Sequence, residues 1–192
     1  IIPINLAIFC ERNKTIEKTI VLKTKKQEFI FKNIRSRFPI PLVTYFREFS
    51  APVNWESDTT LDEKFLILKY EKDYFILSNT VKEFYKNIIT SRLNENPDCK
   101  IENKLISALI SFIKNRDTNL SLLSDLLSIP TFAEIETEMG NIDPLKIYKI
   151  IDELNYFFGT KLRYELYLKL QDIEKTLDKV WPEGKHERKL IE

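Results

Sequence analysis

The spacing of apolar residues changes once along this chain, near Ser57, and no other feature limits the possible folds as much. Before that point, short runs of β-branched and aromatic residues are separated by polar turns, which is typical of β-strands. After it, apolar residues recur every three or four positions, the period of a helix that buries one side. We therefore predict a mixed β then all-α chain, with a β domain over residues 1–57 and an α-helical domain over residues 58–192.

About four strands are predicted in the β domain. A complete immunoglobulin-like β-sandwich has about seven strands, so we expect a partial sandwich that is cut on its N-terminal side. Lys23, Lys25 and Lys26 are interpreted as marking an exposed edge of the sheet, where charge opposes edge-to-edge pairing. The predicted strands lie around Ile4–Ile8, Ile20–Leu22, Phe29–Phe31 and Leu42–Trp55, the last as one long or bent strand, with Glu11–Thr15 as a hairpin connection.

Side chains that mark helix starts recur through the second part of the chain. Thr60 with Glu63, and Thr131 with Glu134, have the spacing of a capping box, in which each side chain bonds a free backbone N–H. Asp73 is a further predicted N-cap. Helices are predicted from Thr60, from Asp73 to about Leu93, over Lys100–Lys114 and Leu120–Leu127, from Thr131 to near Gly140, and from Pro144 through Leu162.

The start of the last helix is the clearest of these signals. Asp143 supplies a cap, and Pro144 follows at the first helical position, where its missing N–H costs nothing. Ile142 is placed to pack on Ile147 as a hydrophobic staple. Because the predicted helices are short and joined by tight loops, they favour an α-helical array over a closed bundle.

Charge and cysteine content narrow the class of protein. Thirty basic residues against 29 acidic ones leave a net charge of +1, which creates no field to attract nucleic acid or an anionic membrane. No apolar run reaches the roughly 18 residues that cross a bilayer. Cys10 and Cys99 fall in different predicted domains, which favours free thiols and a cytoplasmic location. Because Ile1 opens within a strand pattern and is not Met, we expect the chain to begin inside a longer polypeptide.

Metal-binding patterns are incomplete in the sequence. His186-Glu187-Arg188-Lys189-Leu190 begins like the zinc motif His-Glu-x-x-His, but leucine stands where the second imidazole is needed, and His186 is the single histidine. The carboxylates of Glu134, Glu136 and Glu138 lack the loop spacing of a calcium site. We interpret the histidine and the three glutamates as solvated side chains and assign no metal-binding residue.

Nucleophilic and phosphate-binding patterns are missing as well. Ser50 stands in Phe-Ser-Ala rather than in a Gly-x-Ser-x-Gly elbow, so we predict a structural role for it. The 3 glycines are dispersed, which excludes a glycine-rich phosphate loop. Aromatic residues beside Lys161 and Arg163 resemble a base-stacking surface, but their helical spacing favours a core with a polar rim. We assign no catalytic residue and expect no nucleic-acid partner.

Two short blocks of residues carry a family resemblance. The first is Phe49-Ser50-Ala51-Pro52-Val53, preceded by Pro39-Ile40-Pro41. The second begins at Leu127-Ser128-Ile129-Pro130 and ends at Asn141-Ile142-Asp143-Pro144. With these blocks in this order, the chain over about Ile1–Leu170 resembles the C-terminal part of bacterial aminopeptidase N. In that family a Pro-x-Pro stretch leads into a Phe-Ser-Ala-Pro-Val strand, and a Leu-x-x-Pro helix end precedes an Ile-Asp-Pro helix start.

The resemblance implies a four-domain zinc metallopeptidase of the gluzincin type, which releases N-terminal amino acids from peptides. In such enzymes the two histidines of His-Glu-x-x-His and a downstream Glu hold the zinc, and a Gly-x-Met-Glu-Asn motif binds the substrate's α-amine. Neither motif occurs in this sequence. The resemblance therefore implies a non-catalytic C-terminal fragment without a cofactor of its own, whose partners are the remaining domains and, in the whole enzyme, zinc and peptide substrates.

The role implied by the resemblance is to position a helical cap over the active site. An alternative is a free-standing helical module that binds a protein partner through an apolar groove. The order of the two blocks favours the first reading, because a free module has no reason to carry part of a sandwich before its helices. We also expect the chain to self-associate, since a region that normally meets other domains exposes apolar surface when it is alone.

Overall fold

The structure is a computed structural model that describes residues 1–139 and 143–180. A small sheet comes first and a helical region follows, which confirms the predicted mixed class. The strands are β1 (Ile2–Phe9), β2 (Thr15–Leu22) and β3 (Val43–Tyr45), with 3₁₀ turns at Glu11–Asn13 and Arg47–Phe49. The helices are α1 (Leu61–Tyr70), α2 (Tyr74–Leu93), α3 (Cys99–Lys114), α4 (Leu120–Leu127), α5 (Phe132–Met139) and α6 (Pro144–Val180).

β1 is the central strand of an antiparallel sheet with the order β2-β1-β3. It pairs along its whole length with β2, as the predicted hairpin requires. Because side chains alternate along a strand, Leu6 and Ile8 lie on one face and Ala7 and Phe9 on the other. All four are buried. Both faces of the sheet are therefore covered.

The prediction of a strand around Phe29–Phe31 is wrong. This segment is irregular, and Phe31 and Ile34 pack on the sheet face that Leu6 and Ile8 form. The segment is not a member of the sheet, whose order is β2-β1-β3, and it covers one face of it. A covering segment and a strand both need short apolar runs, which is why the sequence pattern does not separate them.

The long or bent strand predicted over Leu42–Trp55 is present only at Val43–Tyr45, so its predicted length is wrong. Only Val43–Tyr45 pairs with β1. The backbone enters the left-handed region at Phe46 (φ 61°), Glu48 (φ 55°) and Phe49 (φ 50°). Left-handed residues cannot continue a ladder, so the chain leaves the sheet at Phe46 and turns towards the helices.

The three lysines predicted at the sheet edge lie just beyond it. β2 is an edge strand, but it ends at Leu22. Lys23, Lys25 and Lys26 are exposed in the following turn, where the Lys23 N–H donates to the side chain of Gln27 at 2.9 Å. They therefore follow the edge strand and do not line it.

Several predicted helix starts are present as local hydrogen bonds. The Thr60 hydroxyl accepts from the Glu63 N–H, and the Glu63 carboxylate accepts from the Thr60 N–H at 2.7 Å, which completes the capping box of α1. The Thr131 N–H donates to Glu134 at 2.9 Å before α5. Asp143 accepts from the Leu145 N–H at 3.0 Å before α6. These bonds confirm the caps predicted at Thr60 and Asp143 and, at Thr131, the half of the box in which Glu134 accepts from the backbone.

Two details of the sequence prediction fall in the gap between α5 and α6. Gly140, predicted near the end of α5, and Ile142, predicted to staple onto Ile147, lie outside the described residues. Ile147 itself is fully buried in the helical core.

The helical core is organised around α2, which contacts α1, α3, α4 and α6. The aromatic rings of Phe65 and Phe84 pack at 4.3 Å between centroids, and those of Tyr85 and Phe158 at 5.4 Å. The Tyr85 hydroxyl donates to the Leu126 carbonyl at 3.2 Å. This cluster packs helices α1 to α5 against α6. Its fully buried members include Val81, Phe84, Leu105, Leu109, Leu126, Ile135, Ile147 and Leu154.

A second apolar cluster joins the sheet to the helices. Ala7 and Phe9 of β1, with Leu42, pack against Ile67 of α1 and Ile76 of α2. All five side chains are buried. Burial of apolar surface stabilises the folded state by about 25 cal/mol per Å². This contact therefore holds the sheet against the first two helices.

Candidate functional site

The junction between sheet and helices contains a buried carboxylate, Glu71, in the short connection between α1 and α2. Its side chain is only 1% exposed. It accepts from the Thr44 hydroxyl of β3 at 2.6 Å and from an Arg47 Nη at 3.1 Å. The backbone N–H groups of Lys72 and Asp73 donate to it at 2.7 and 2.9 Å. A buried charge is tolerable when it is paired and hydrogen-bonded in this way.

Arg47 connects this carboxylate to the edge strand. Its guanidinium bonds Glu71 on one side and Glu17 of β2 on the other. Burial alone lowers the pKa of Arg47, but the hydrogen bond to Glu17 and the charges of Glu71 and Asp73 outweigh it, and the pKa rises above its usual value. The guanidinium therefore stays charged. Among the described residues, its Nε is a buried nitrogen without a hydrogen-bond partner.

Asp73 connects the same junction to helix α2. One carboxylate oxygen accepts from the Ile76 N–H at 3.0 Å and caps the helix, as predicted. The other accepts from the Glu48 N–H at 2.9 Å. Glu48 lies in the left-handed region, where a residue other than glycine is strained. The N-cap of α2 thus also holds the strained turn that ends the sheet.

The first family block, Phe49 to Val53, lies at this junction. The Phe49 ring packs on Phe75 of α2 at 5.1 Å, and the Ser50 hydroxyl accepts from the Asn5 N–H of β1 at 3.0 Å. Ala51 is buried, and the Val53 N–H donates to the Ala51 carbonyl at 3.0 Å. The block ties β1 to α2, and the Ser50 hydroxyl has a backbone partner rather than a catalytic one.

The second block lies at a different place in the fold. Asp143 and Pro144 begin α6, while Ile142 is outside the described residues. The second block begins at the end of α4, where Leu127 is the last helical residue. The two blocks therefore mark the sheet–helix junction, the end of α4 and the start of the longest helix.

The structure supplies no candidate metal centre in residues 1–139 and 143–180, where no group of three or more His, Cys, Asp or Glu side chains is close enough to hold an ion. Glu134, one of the three glutamates weighed for calcium, belongs to a helix start. The hydrogen bonds from the Thr131 N–H and hydroxyl, with Lys82 nearby, lower the pKa of Glu134. His186 lies beyond the described residues.

Two further properties bear on the class of protein. Cys10 is a buried free thiol and Cys99 an exposed one. No helix in the described part of the chain has the length and apolar composition needed to span a membrane.

Sequence reasoning identified Asp73 and the block Phe49 to Val53 but missed Glu71, Arg47 and Thr44. Glu71 stands in Glu-Lys-Asp, which is typical of an exposed connection between helices. Its partner Thr44 lies 27 positions earlier. A spacing pattern over a few residues cannot report a contact of that separation, so no local signal was present.

The architecture defines a class: an immunoglobulin-like sheet domain followed by an array of helices. Residues 1–58 match the family described as Domain of unknown function (DUF3458) Ig-like fold. Residues 61–191 match Domain of unknown function (DUF3458_C) ARM repeats. The chain belongs to this family, whose two domains form the C-terminal region of aminopeptidase N, and the family resemblance predicted from the sequence is confirmed.

A solved relative has the same fold. The crystal structure of Legionella pneumophila aminopeptidase A in complex with aspartic acid is similar to this chain with a TM-score of 0.73 at 20% sequence identity. The similarity covers 90% of this chain and 20% of that one. The chain thus spans about a fifth of the length of the aminopeptidase that it matches, and it is an aminopeptidase-related pair of C-terminal domains.

Proposed function

We propose that this chain is the non-catalytic part of a zinc aminopeptidase that holds a helical cap in a fixed position over the active site. The catalytic zinc and the site for the peptide's α-amine would belong to the other domains. The cap would restrict access to small peptides and help to exclude water from the reacting bond. Family membership supports the relationship to an aminopeptidase, and the geometry of the junction supports the positioning role.

The observation that carries the positioning role is the buried Glu71 at the sheet–helix junction. Domains within one chain usually meet through modest, polar interfaces and move relative to each other. Here an apolar contact is combined with a carboxylate that bonds β3, the Arg47 turn and the α1–α2 connection at once. Such a junction resists hinge motion, because rotation would leave a buried charge without its partners.

The order of the domains argues against the alternative of a free-standing interaction module. Both family matches occur, the Ig-like one before the ARM repeats, and the sheet is joined rigidly to the first two helices. A module that acted only through its helices would not require this sheet.

The experiment uses the longer polypeptide that contains this chain, with Glu71→Gln and Thr44→Val introduced separately. If the junction sets the position of the cap, kcat/KM for short aminoacyl substrates changes little, while longer peptides that are normally excluded become substrates. Asp62→Asn is the matched control, because Asp62 pairs with Lys104 at 3.1 Å on the exposed surface of α1. Junction variants that fold and keep the wild-type preference for peptide length would contradict the proposal.

A further inference from the structure

One face of α6 is exposed and apolar although the opposite face lies in the core. We call this face the α6 stripe. Its residues follow one another at intervals of 3, 4, 4, 3, 4, 4 and 3 positions. The apolar members are between 53% and 79% exposed. The stripe comprises Leu145, Tyr148, Asp152, Tyr156, Gly159, Arg163, Tyr167 and Leu170, all of them exposed.

The spacing keeps the stripe on one side of the helix. Steps of 3, 4 and 4 make an 11-residue repeat with about 3.67 residues per turn, close to the period of a straight helix. From Leu145 to Leu170 the stripe therefore extends over about 37 Å. The core face, with Ile147, Leu154 and Leu162, points to the other side.

The order of residues in the stripe is complementary to itself. In an antiparallel pair of α6 helices related by a two-fold axis midway between Phe157 and Phe158, each stripe residue meets the residue equally far from that midpoint. Such an isologous contact requires one surface to match its own inverted copy. The resulting pairs are Leu145 with Leu170, Tyr148 with Tyr167, Asp152 with Arg163, and Tyr156 with Gly159.

Each kind of pair is chemically favourable. Leucine meets leucine and tyrosine meets tyrosine at the two ends, where an aromatic pair adds to apolar burial. Asp152 meets Arg163 with opposite charge on both sides of the axis. Beside the axis, the large Tyr156 ring meets the one position of the stripe that has no side chain.

Gly159 has no explanation within a single chain. A β-carbon built at this position contacts nothing within 4 Å. Glycine is one of the weakest helix formers, yet it stands in the middle of the longest helix. A second surface that approached this point of the exposed face closely would account for it.

We propose that the α6 stripe is the interface of a two-fold symmetric dimer of this chain, with antiparallel α6 helices that cross near Gly159. A contact about 37 Å long and roughly 10 Å wide buries on the order of 750 Å² in total, which is less than the 1,200–2,000 Å² or so of stable complexes. The dimer therefore dissociates on dilution, in the micromolar range or above.

Charge reversal tests the pairing. Asp152→Arg alone places two arginines opposite each other on each side of the axis, and Arg163→Asp alone does the same with carboxylates. We expect each single variant to raise the dimer dissociation constant about tenfold. The double variant Asp152→Arg with Arg163→Asp restores association, because it rebuilds both pairs in the reverse sense. Lys146→Glu, an exposed change on α6 outside the stripe, is the control and leaves association unchanged.

Gly159→Leu separates dimerisation from folding. The new side chain has open space in the monomer and improves helix propensity, so the melting temperature of the monomer stays the same or rises. In the dimer it meets Tyr156 of the second copy, so association weakens. A variant that simply failed to fold would lower both the melting temperature of the monomer and the extent of association.

Sedimentation equilibrium over a wide range of concentrations of the 192-residue chain is the measurement. Concentration-dependent dimers, lost in the single charge variants and in Gly159→Leu and restored in the double charge variant, support the proposal. A chain that stays monomeric at millimolar concentration overturns it. So does a dimer that is indifferent to charge reversal, since it would use another surface.

Discussion

Glu71 is the residue on which the junction depends most, because its side chain is almost fully buried and bonds three separate parts of the chain. Its pairing with Arg47 differs from the surface pair of Lys104 and Asp62, in which the side chains are 58% and 87% exposed. Exposed pairs contribute little because water screens them and both side chains lose entropy. Breaking a buried pair leaves one charge without compensation.

We predict that Glu71→Gln lowers the free energy of unfolding by about 3 kcal/mol, since Arg47 then loses its buried ion-pair partner and keeps only the ion pair with the exposed Glu17. Urea denaturation of the 192-residue chain measures the change. Asp62→Asn, the exposed counterpart, should change stability by less than about 0.5 kcal/mol. Equal effects of the two substitutions would mean that Glu71 is not held as the structure describes.

Tyr85 makes stability sensitive to alkaline pH. Burial raises the pKa of its phenol above the ordinary value of about 10. When the pKa of a group is higher in the folded than in the unfolded state, the group stabilises the fold fully at pH values below the unfolded pKa. This stabilisation is lost as the pH rises above the unfolded pKa. We therefore predict that stability falls above pH about 10 and that Tyr85 ionises only on unfolding.

Absorbance of phenolate, followed together with circular dichroism in an alkaline titration, tests this prediction. Tyr85→Phe should make the loss of stability above pH about 10 less steep, because the group that ionises on unfolding is gone. Tyr164→Phe is the control, since Tyr164 is 67% exposed, lies outside the α6 stripe, and its replacement should leave the steepness unchanged. A Tyr85→Phe profile identical to wild type would contradict the assignment.

At the scale of elements, the helix caps differ in how many parts of the chain they connect. Thr60 and Glu63 close a capping box that involves only α1. Asp73 caps α2 with one oxygen and holds Glu48, in the turn after β3, with the other. The start of α2 and the end of the sheet are therefore stabilised by a single carboxylate.

We predict that Asp73→Ala is more damaging than Thr60→Ala. Loss of an N-cap costs about 1 kcal/mol, which is the effect expected for Thr60. Asp73→Ala should cost roughly 2 kcal/mol or more, because the strained Glu48 backbone also loses its partner. Asp73→Asn retains one acceptor oxygen and should fall between them. Chemical denaturation compares the variants, and equal costs for Asp73→Ala and Thr60→Ala would refute the double role.

At the scale of the whole molecule, sheet and helices form one connected structure. The β1 residues Ala7 and Phe9 pack on α1 and α2, and α2 in turn contacts α3, α4 and α6. A chain that belongs to the C-terminal region of aminopeptidase N therefore has a buried apolar contact and a hydrogen-bonded carboxylate between its sheet and its helices. This is the property that a cap over an active site on other domains would require.

We predict that the isolated chain neither hydrolyses aminoacyl chromogenic substrates nor retains stoichiometric zinc. The reason lies in its composition, since zinc needs three or four N, S or O ligands and the sequence has one histidine and lacks both active-site motifs. Metal analysis after dialysis, together with an activity assay, provides the measurement. One equivalent of tightly held zinc with aminopeptidase activity would contradict the proposed division of roles.

Features that depend on neighbours in sequence were predicted correctly from the sequence. The capping box at Thr60 and the caps at Asp73 and Asp143 each join groups two or three residues apart, so their spacing determines them. The period of apolar residues likewise determined the change from strands to helices. A family-specific block such as Phe49 to Val53 identified the region of aminopeptidase N to which the chain is related.

Features that depend on distant partners were decided only by the tertiary structure. Phe31 packs on the sheet face formed by Leu6 and Ile8, which lie more than 20 positions earlier, and it covers that face without joining the sheet. The chain turns at Phe46 because Asp73 holds the following turn from 25 positions away. Glu71 is buried because the sheet folds over it. In each case the residues near in sequence are compatible with more than one conformation, and a contact with a distant segment determines which one forms.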